Sequence, residues 1–161
     1  MEQFSCRTHI VSEQRAGAYL ASTGIRRLLM VTDPFFFKSG AAQAICREAN
    51  AEAVSFFDKV TPDPSVTLAA EGAALVRQFR PDTIVALGGG SAMDCAKAMA
   101  YFSGVEAKLV AIPTTSGSGS EVTDFAILTH DGVKHPLVDP ALRPEVAILD
   151  PSLVAGLPPA L

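Results

Sequence analysis

Residues 83–102 read TIVALGGGSAMDCAKAMAYF and place an apolar strand, three consecutive glycines and a helix directly after one another. The run from 83 to 87 lacks alternation of apolar and polar residues, which is typical of a strand buried on both faces of a parallel sheet. Residues 92–102 are predicted to form a helix. A buried strand followed by a glycine turn and a helix predicts the βα unit of an α/β domain.

Strands and helices alternate in both directions from this unit. Residues 4–11 mix polar and apolar residues and predict a strand at a sheet edge, and further strands are predicted at residues 28–32, 53–57, 108–112 and 146–149. Helices are predicted over residues 39–48 and after Ser65, a residue type that favours the N-cap position, whereas two prolines exclude a helix from residues 59–64. Residues 121–138 alternate around Asp131-Gly132, which predicts a β-hairpin. We therefore predict a single α/β domain over residues 1–161, with a doubly wound, Rossmann-like, mostly parallel sheet and a β-hairpin appendage.

The composition is that of an ordinary globular protein, with 48% hydrophobic and 19% charged residues. The net charge of -4 offers no basic surface, so we expect no binding to nucleic acid. No apolar run approaches the roughly 20 residues of a membrane span, and the N-terminus lacks the pattern of a signal peptide. Cys6, Cys46 and Cys95 are far apart and form no CxxC motif. Free thiols and a cytoplasmic location are therefore expected.

The glycine turn, residues 88–90, has two physical interpretations. Glycine lacks Cβ, so it adopts positive φ and lets a ligand approach the backbone, and the following helix offers N–H groups to a pyrophosphate. The turn matches neither the Walker A pattern nor the GxGxxG fingerprint, so a tight structural turn is the alternative. Ser91 and Asp94 have the spacing of a capping box, so Asp94 either caps the helix or contacts a cofactor or substrate. Lys97 is expected to be solvated or ion-paired.

A second polar segment, PTTSGSGSEVT at residues 113–123, follows the predicted strand at 108–112, and we call it the hydroxyl loop. Ligands of open α/β sheets bind beyond the carboxyl ends of the strands, where such loops meet. The segment is therefore interpreted as a cofactor site, with a flexible Ser/Gly linker as the alternative. Asp33 ends the strand at 28–32, where a carboxylate accepts hydrogen bonds from an adenosine ribose and favours NAD over NADP. An Asp-Pro turn is the alternative for Asp33.

Five segments together resemble the iron-containing, or group III, alcohol dehydrogenases, especially bacterial ethanol and 1-propanol dehydrogenases. They are residues 31–40, 60–64, 88–97, 113–123 and 134–151, and their order and spacing cover nearly the whole chain. The resemblance implies an N-terminal dinucleotide-binding domain followed by a helical metal domain. It also implies that some relatives belong to bacterial microcompartments, so such a location is included in the expectation for this protein.

The resemblance implies a cofactor role for particular residues of this chain. Gly89, Gly90 and Ser91 would hold the pyrophosphate of NAD. The other implied contacts are Asp33 at the adenosine ribose, Lys134 at the nicotinamide ribose, and Thr114, Thr115, Ser118 and Thr123 along the adenine and phosphates. Asp94 remains a candidate cofactor contact. Ser118 stands where the family usually has threonine, and it retains the hydroxyl.

The resemblance places the metal ligands, an aspartate and three histidines, beyond residue 161. The helical metal domain is therefore expected to be absent from this sequence, and Fe(II) or another divalent metal is expected only in a full-length parent. Asp131 and His135 have the D-x-x-x-H spacing of a metal motif, but the predicted hairpin separates their side chains from a common helical face. No metal ligand and no catalytic residue is predicted within the chain.

The resulting functional prediction is an NAD-dependent alcohol dehydrogenase that transfers a hydride between a small primary alcohol and its aldehyde. The partners predicted for the parent enzyme are NAD(H), the alcohol or aldehyde, and further copies of itself in a homo-oligomer. The chain alone is expected to bind NAD(H) without catalysing the reaction. The alternatives are a non-catalytic dinucleotide-binding module and an NAD-dependent lyase domain similar to dehydroquinate synthase.

Overall fold

A computed structural model describes residues 6–155 and contains eight strands and five α-helices in that range. The strands are β1 (His9–Ser12), β2 (Arg27–Thr32), β3 (Ala53–Phe57), β4 (Thr83–Gly88), β5 (Lys108–Pro113), β6 (Phe125–His130), β7 (Val133–Val138) and β8 (Val146–Leu149). The helices are α1 (Ala16–Ala21), α2 (Pro34–Lys38), α3 (Ala41–Ala49), α4 (Val66–Phe79) and α5 (Gly90–Ser103). Three short 3-10 turns lie at Ser120–Val122, Pro140–Leu142 and Pro151–Leu153.

Six of the strands form one parallel sheet in the order β1-β8-β5-β4-β2-β3. Strands β6 and β7 form a separate antiparallel hairpin, paired from Phe125↔Val138 to His130↔Val133. The predicted α/β class, the Rossmann-like parallel sheet and the hairpin appendage are confirmed. Because β4 has β2 on one side and β5 on the other, the loops after these three strands share the carboxyl edge of the sheet.

The predicted boundaries differ from the observed ones mainly at helix starts. The predicted helix from residue 39 begins at Ala41, since Gly40 has φ 81° and interrupts the helical backbone. Helices α1 and α2 were not predicted, although Asp33 followed by Pro34 is a helix-start signal that precedes the three phenylalanines of α2. The first strand begins at His9, and residues 4 and 5 of the predicted strand lie outside the described residues.

The continuous apolar runs reflect a sheet covered on both faces. In β2, Leu28 and Met30 belong to one buried cluster with α1 and α3, whereas Leu29 and Val31 belong to the opposite cluster with α4 and α5. Successive side chains of a strand point to opposite faces, so a strand between two helical layers is apolar at every position. The sheet is therefore held between two helical layers.

The close contact between α4 and α5 provides a test of this packing. A Cβ at Gly72 would lie 2.5 Å from the Cγ and Sδ atoms of Met99, whose side chain is fully buried. Gly72→Val is therefore expected to lower the free energy of unfolding by about 1–3 kcal/mol through overpacking. Urea unfolding measures the effect, with Ala74→Val as the control because Ala74 is exposed on the same helix. Equal stability of the two variants would show that the helices are less tightly packed than described.

Candidate functional site

The first cleft lies at the carboxyl edge of the sheet, between the loops that follow β2, β4 and β5. In register, Thr32 lies beside Leu87 and Gly88 beside Pro113, so these loops emerge next to one another. The cleft has a volume of about 410 Å³. Its lining includes Asp33, Phe35, Thr61, Pro62, Gly89, Gly90, Ser91 and Thr115. The glycine turn, the hydroxyl loop and the turn at Asp33 therefore meet at one site.

The glycine turn leaves little room for side chains. Gly88 has φ +148°, and a Cβ there would lie 2.8 Å from the Cβ of Ala92. A Cβ at Gly89 would lie 3.1 Å from Thr115 Oγ1, and one at Gly90 would lie 3.3 Å from the Cβ of Ser118. The glycines thus let the hydroxyl loop rest directly against the start of α5.

Helix α5 begins without a side-chain cap. Its N-cap is Gly89 in an extended conformation, so no side chain accepts a hydrogen bond from the first-turn N–H groups there. These N–H groups and the positive end of the helix dipole favour an anion at this position. The first cleft contains Gly89 and Gly90, so the start of the helix borders the space available to a ligand.

The predicted capping box is wrong. The helix starts at Gly90, so Ser91 is already helical, and its Oγ accepts a hydrogen bond from the Asp63 N–H at 3.3 Å. Asp94 instead accepts hydrogen bonds from Ser120 Oγ at 3.2 Å and from the Ile127 N–H at 3.1 Å. Burial raises the pKa of Asp94, and the Ile127 bond, Lys97 and the Ser120 bond oppose that rise. Asp94 therefore connects α5 to the end of the hydroxyl loop and to β6.

Lys97 is not the solvated or ion-paired lysine that was expected. Its exposure is 1%, and its Nζ donates hydrogen bonds to Thr123 O at 3.0 Å, Thr123 Oγ1 at 3.0 Å and Phe125 O at 2.9 Å. Burial lowers the pKa of Lys97 to about 8, while Asp94, Asp124 and Glu121 act in the opposite direction. The reason for this placement is that the end of the hydroxyl loop and the start of β6 pack against α5 and supply acceptors that the local sequence does not reveal.

The hydroxyl loop is held by specific contacts, contrary to the linker alternative. Thr114 is buried and its N–H donates to Gly88 O at 3.0 Å, whereas Thr115 lines the first cleft. Ser118 lies against Gly90 and lines the second cleft described below. Thr123 differs from these residues because its hydroxyl contacts Lys97.

Asp33 caps a helix and also borders the first cleft. Its Oδ1 accepts hydrogen bonds from the N–H groups of Phe35 at 2.8 Å and Phe36 at 3.0 Å, which caps α2. The same carboxylate lines the first cleft, next to the glycine turn. Phe35, which the sequence analysis did not single out, lies at this cleft with 68% of its surface exposed.

The second cleft, of about 360 Å³, lies between the hairpin and the start of α5. Lys134 on β7 lines it and forms an ion pair with Asp63, with Nζ and Oδ1 2.7 Å apart. Ser91, Asp94 and Ser118 line the same cleft. Asp63 was not among the predicted site residues, and the available signal was its position between Pro62 and Pro64. In the structure it has φ 53°.

No metal centre is formed by residues 6–155, since no group of three or more His, Cys, Asp or Glu side chains comes together there. Asp131 lies in the turn of the hairpin, and His135 on β7 pairs with Leu128 on β6. The D-x-x-x-H spacing of Asp131 and His135 is therefore not helical. The hairpin interpretation of this segment is confirmed. Over the same described range, no helix is long and apolar enough to cross a membrane.

A family profile and individual protein sequences both show similarity between this chain and alcohol dehydrogenases. The sequence profile of the family "Iron-containing alcohol dehydrogenase" matches residues 8–151. The chain is 39% identical to the 1-propanol dehydrogenase PduQ of Citrobacter freundii, covering 100% of this chain and 45% of that protein. It is 41% identical to the bifunctional aldehyde-alcohol dehydrogenase AdhE of Escherichia coli K12, covering 86% of this chain and 19% of AdhE. The chain thus spans less than half the length of these relatives.

Solved structures show the same similarity. The iron-containing alcohol dehydrogenase of Thermococcus thioreducens matches with a TM-score of 0.87 and 32% identity, over 98% of this chain and 49% of that one. The sulfoacetaldehyde reductase of Bifidobacterium kashiwanohense, solved in complex with NAD+, matches with a TM-score of 0.87 and 31% identity. That match covers 99% of this chain and 48% of the reductase.

Proposed function

Because this chain belongs to the iron-containing alcohol dehydrogenase family, we propose that it is the NAD(H)-binding domain of an enzyme that interconverts a small primary alcohol and its aldehyde. The observation that carries the proposal is the meeting of the glycine turn and the hydroxyl loop at an uncapped helix start. This arrangement suits a pyrophosphate, which needs close backbone approach and N–H donors. A solved relative at 31% identity was crystallised with NAD+.

The pyrophosphate is assigned to Gly89, Gly90 and Ser91. Gly89 and Gly90 belong to the uncapped start of α5, and all three residues line the first cleft. Ser91 also accepts a hydrogen bond from the Asp63 N–H, which orients its hydroxyl oxygen. A side chain at either glycine would press against the hydroxyl loop, at Thr115 or at Ser118, and would narrow the space assigned to the phosphates.

The remaining cofactor contacts are assigned around this centre. Asp33 is proposed to accept the hydroxyls of the adenosine ribose, because its carboxylate lines the first cleft while one oxygen caps α2. The hydroxyl loop, through Thr114, Thr115 and Ser118, is proposed to follow the adenine and phosphates. Lys134 is proposed to reach the nicotinamide ribose across the second cleft. For Asp94 and Thr123, their hydrogen bonds within the protein support an indirect role in this site.

The chemistry of the reaction is hydride transfer, which the nicotinamide supplies when it is bound. The described residues do not fit the metal of the family, because they bring no set of three ligating side chains together. We therefore assign to this chain the binding and orientation of the dinucleotide, and no step through a metal. Family membership favours this function over the lyase alternative. Assembly into a homo-oligomer and a cytoplasmic or microcompartment location stay predictions.

Cofactor preference tests the proposal. The chain is expected to bind NADH at least about tenfold more tightly than NADPH, since Asp33 would repel a 2′-phosphate. Asp33→Ser keeps an N-cap residue for α2 but removes the charge, so it is expected to reduce this preference about tenfold with little loss of stability. Titrations of the intrinsic fluorescence of NADH and NADPH measure both values. Failure of the unmodified chain to bind NADH would contradict the proposal, and unchanged preference in Asp33→Ser would contradict the role of Asp33.

A further inference from the structure

Lys97 is a buried cation with no ion pair to any carboxylate of the described residues. Its three hydrogen-bond acceptors are Thr123 O, Thr123 Oγ1 and Phe125 O. A lysine ammonium has three N–H donors, so each donor has one acceptor. Burying a charged amine is costly unless it is fully hydrogen-bonded, and the site satisfies that requirement.

The acceptors of Lys97 lie where the hydroxyl loop ends and β6 begins. Thr123 is the last residue of the loop, and Phe125 is the first of β6. Asp94, one helical turn before Lys97, bonds Ser120 and Ile127 in the same part of the chain. The polar face of α5 therefore fastens residues 120–127 to the helix whose start forms the proposed phosphate site.

The hydroxyl loop bonds to the rest of the protein mainly at its two ends, through Thr114 to Gly88 and through Ser120 and Thr123 to helix α5. It contains Gly117 and Gly119, both with positive φ, and a glycine-rich segment loses much conformational freedom when it is ordered. Near its start, Thr115 lies 3.1 Å from the Cβ position of Gly89, and Ser118 lies 3.3 Å from that of Gly90. An anchor at the end of the loop keeps these hydroxyls against the glycine turn before a ligand arrives, which reduces the entropic cost of binding.

We propose that Lys97 is a positioning residue for dinucleotide binding, which holds the hydroxyl loop against the glycine turn through the hydroxyl of Thr123 and the backbone carbonyls of Thr123 and Phe125. This inference rests on the proposed binding of NAD(H). Lys97 is buried and lines neither cleft, so it acts through Thr123 and the loop. A lysine that served stability alone would change the unfolding free energy without changing the cofactor affinity of the folded protein.

The charge state of Lys97 makes the expected affinity for NADH depend on pH. The surrounding ionisable groups are Asp94 on the same helix, Glu121 in the 3-10 turn and Asp124 before β6, and Asp124 is itself paired with Arg143. The pKa of Lys97 is lowered to about 8 by burial. Above that pH the neutral amine has two N–H donors in place of three, so one anchoring bond is lost. The affinity for NADH is therefore expected to fall as the pH rises through about 8.

The experiment measures NADH affinity by calorimetry in the unmodified chain and in variants, between about pH 7 and pH 9, where NADH itself does not titrate. Lys97→Met preserves the length of the side chain and removes all donors; we expect about tenfold weaker binding at pH 7 and a flat pH profile. Thr123→Val removes only the hydroxyl acceptor and is expected to weaken binding about threefold, whereas Thr123→Ser retains it and stays within about twofold. Lys108→Met, an exposed lysine at the opposite edge of the sheet, is the matched control.

Thermal unfolding of each variant identifies those that remain folded at the assay temperature. A folded Lys97→Met variant with the affinity and pH profile of the unmodified chain overturns the inference. If Lys97→Met does not fold, the pH profile of the unmodified chain and the affinities of the Thr123 variants test the inference. A flat pH profile in the unmodified chain, or equal affinities of Thr123→Val and Thr123→Ser, then overturns it. An unmodified chain that binds no NADH at any pH overturns the proposed function and this inference with it, which distinguishes that failure from the others.

Discussion

Replacing Gly90 with valine is expected to weaken NADH binding at least about a hundredfold while leaving the fold largely intact. Gly90 lines both clefts, and a Cβ there would lie 3.3 Å from the Cβ of Ser118. The two methyl groups of valine would extend further into the space assigned to the pyrophosphate and would separate the hydroxyl loop from the helix start. Each tenfold loss of affinity corresponds to about 1.4 kcal/mol, so the loss of phosphate contacts accounts for the expected size.

The fold is expected to tolerate this change because Gly90 does not belong to the glycines with positive φ. Valine at the first position of a helix costs only a few tenths of a kcal/mol in propensity. Calorimetric titration with NADH gives the affinity, and the thermal midpoint gives the stability. Gly90→Ala should give an intermediate loss, and Ala74→Val, on the exposed face of α4, should give none. Unchanged NADH affinity in Gly90→Val would show that the pyrophosphate binds elsewhere.

The 161-residue chain is expected to produce no measurable NADH from ethanol or 1-propanol, with or without added Fe(II) or Zn(II). The physical reason is the arrangement of the ligating side chains. Residues 6–155 bring together no three groups that hold a divalent ion, so these residues leave the alcohol oxygen without a Lewis acid. We expect an active family member to form NADH under the same conditions and this chain to form none, because hydride transfer needs both the dinucleotide and an activated alcohol.

Absorbance at the nicotinamide band measures this prediction, with a full-length family member assayed in parallel under the same conditions. NADH binding by the same preparation shows that the chain is folded and that its cofactor site is intact. Metal-dependent turnover by the chain would contradict the prediction, and it would mean that a metal site exists which the described residues do not reveal.

Much of the fold follows from local patterns. The strands β3 and β8 have the predicted bounds, and the Asp131-Gly132 turn forms the predicted hairpin. The sequence also indicates that the glycine turn and the hydroxyl loop meet, because each follows a buried parallel strand and such strands share a carboxyl edge. Local patterns do not predict α2, because its three phenylalanines give no helical pattern. The Asp-Pro pair at its start is the one helix signal there.

The sequence by itself determined the class of the fold, the place of the candidate site in it and the family. Strand and helix periodicities and glycine turns are properties of neighbouring residues, so they can be read without knowledge of the rest of the chain. The partners of the buried polar groups were decided only by the tertiary structure. Asp94 and Ser120 are 26 residues apart, Lys97 and Phe125 are 28 apart, and Asp94 and Ile127 are 33 apart. A buried charge takes whichever donors or acceptors the fold brings to it, and here those come from the end of the hydroxyl loop and from β6.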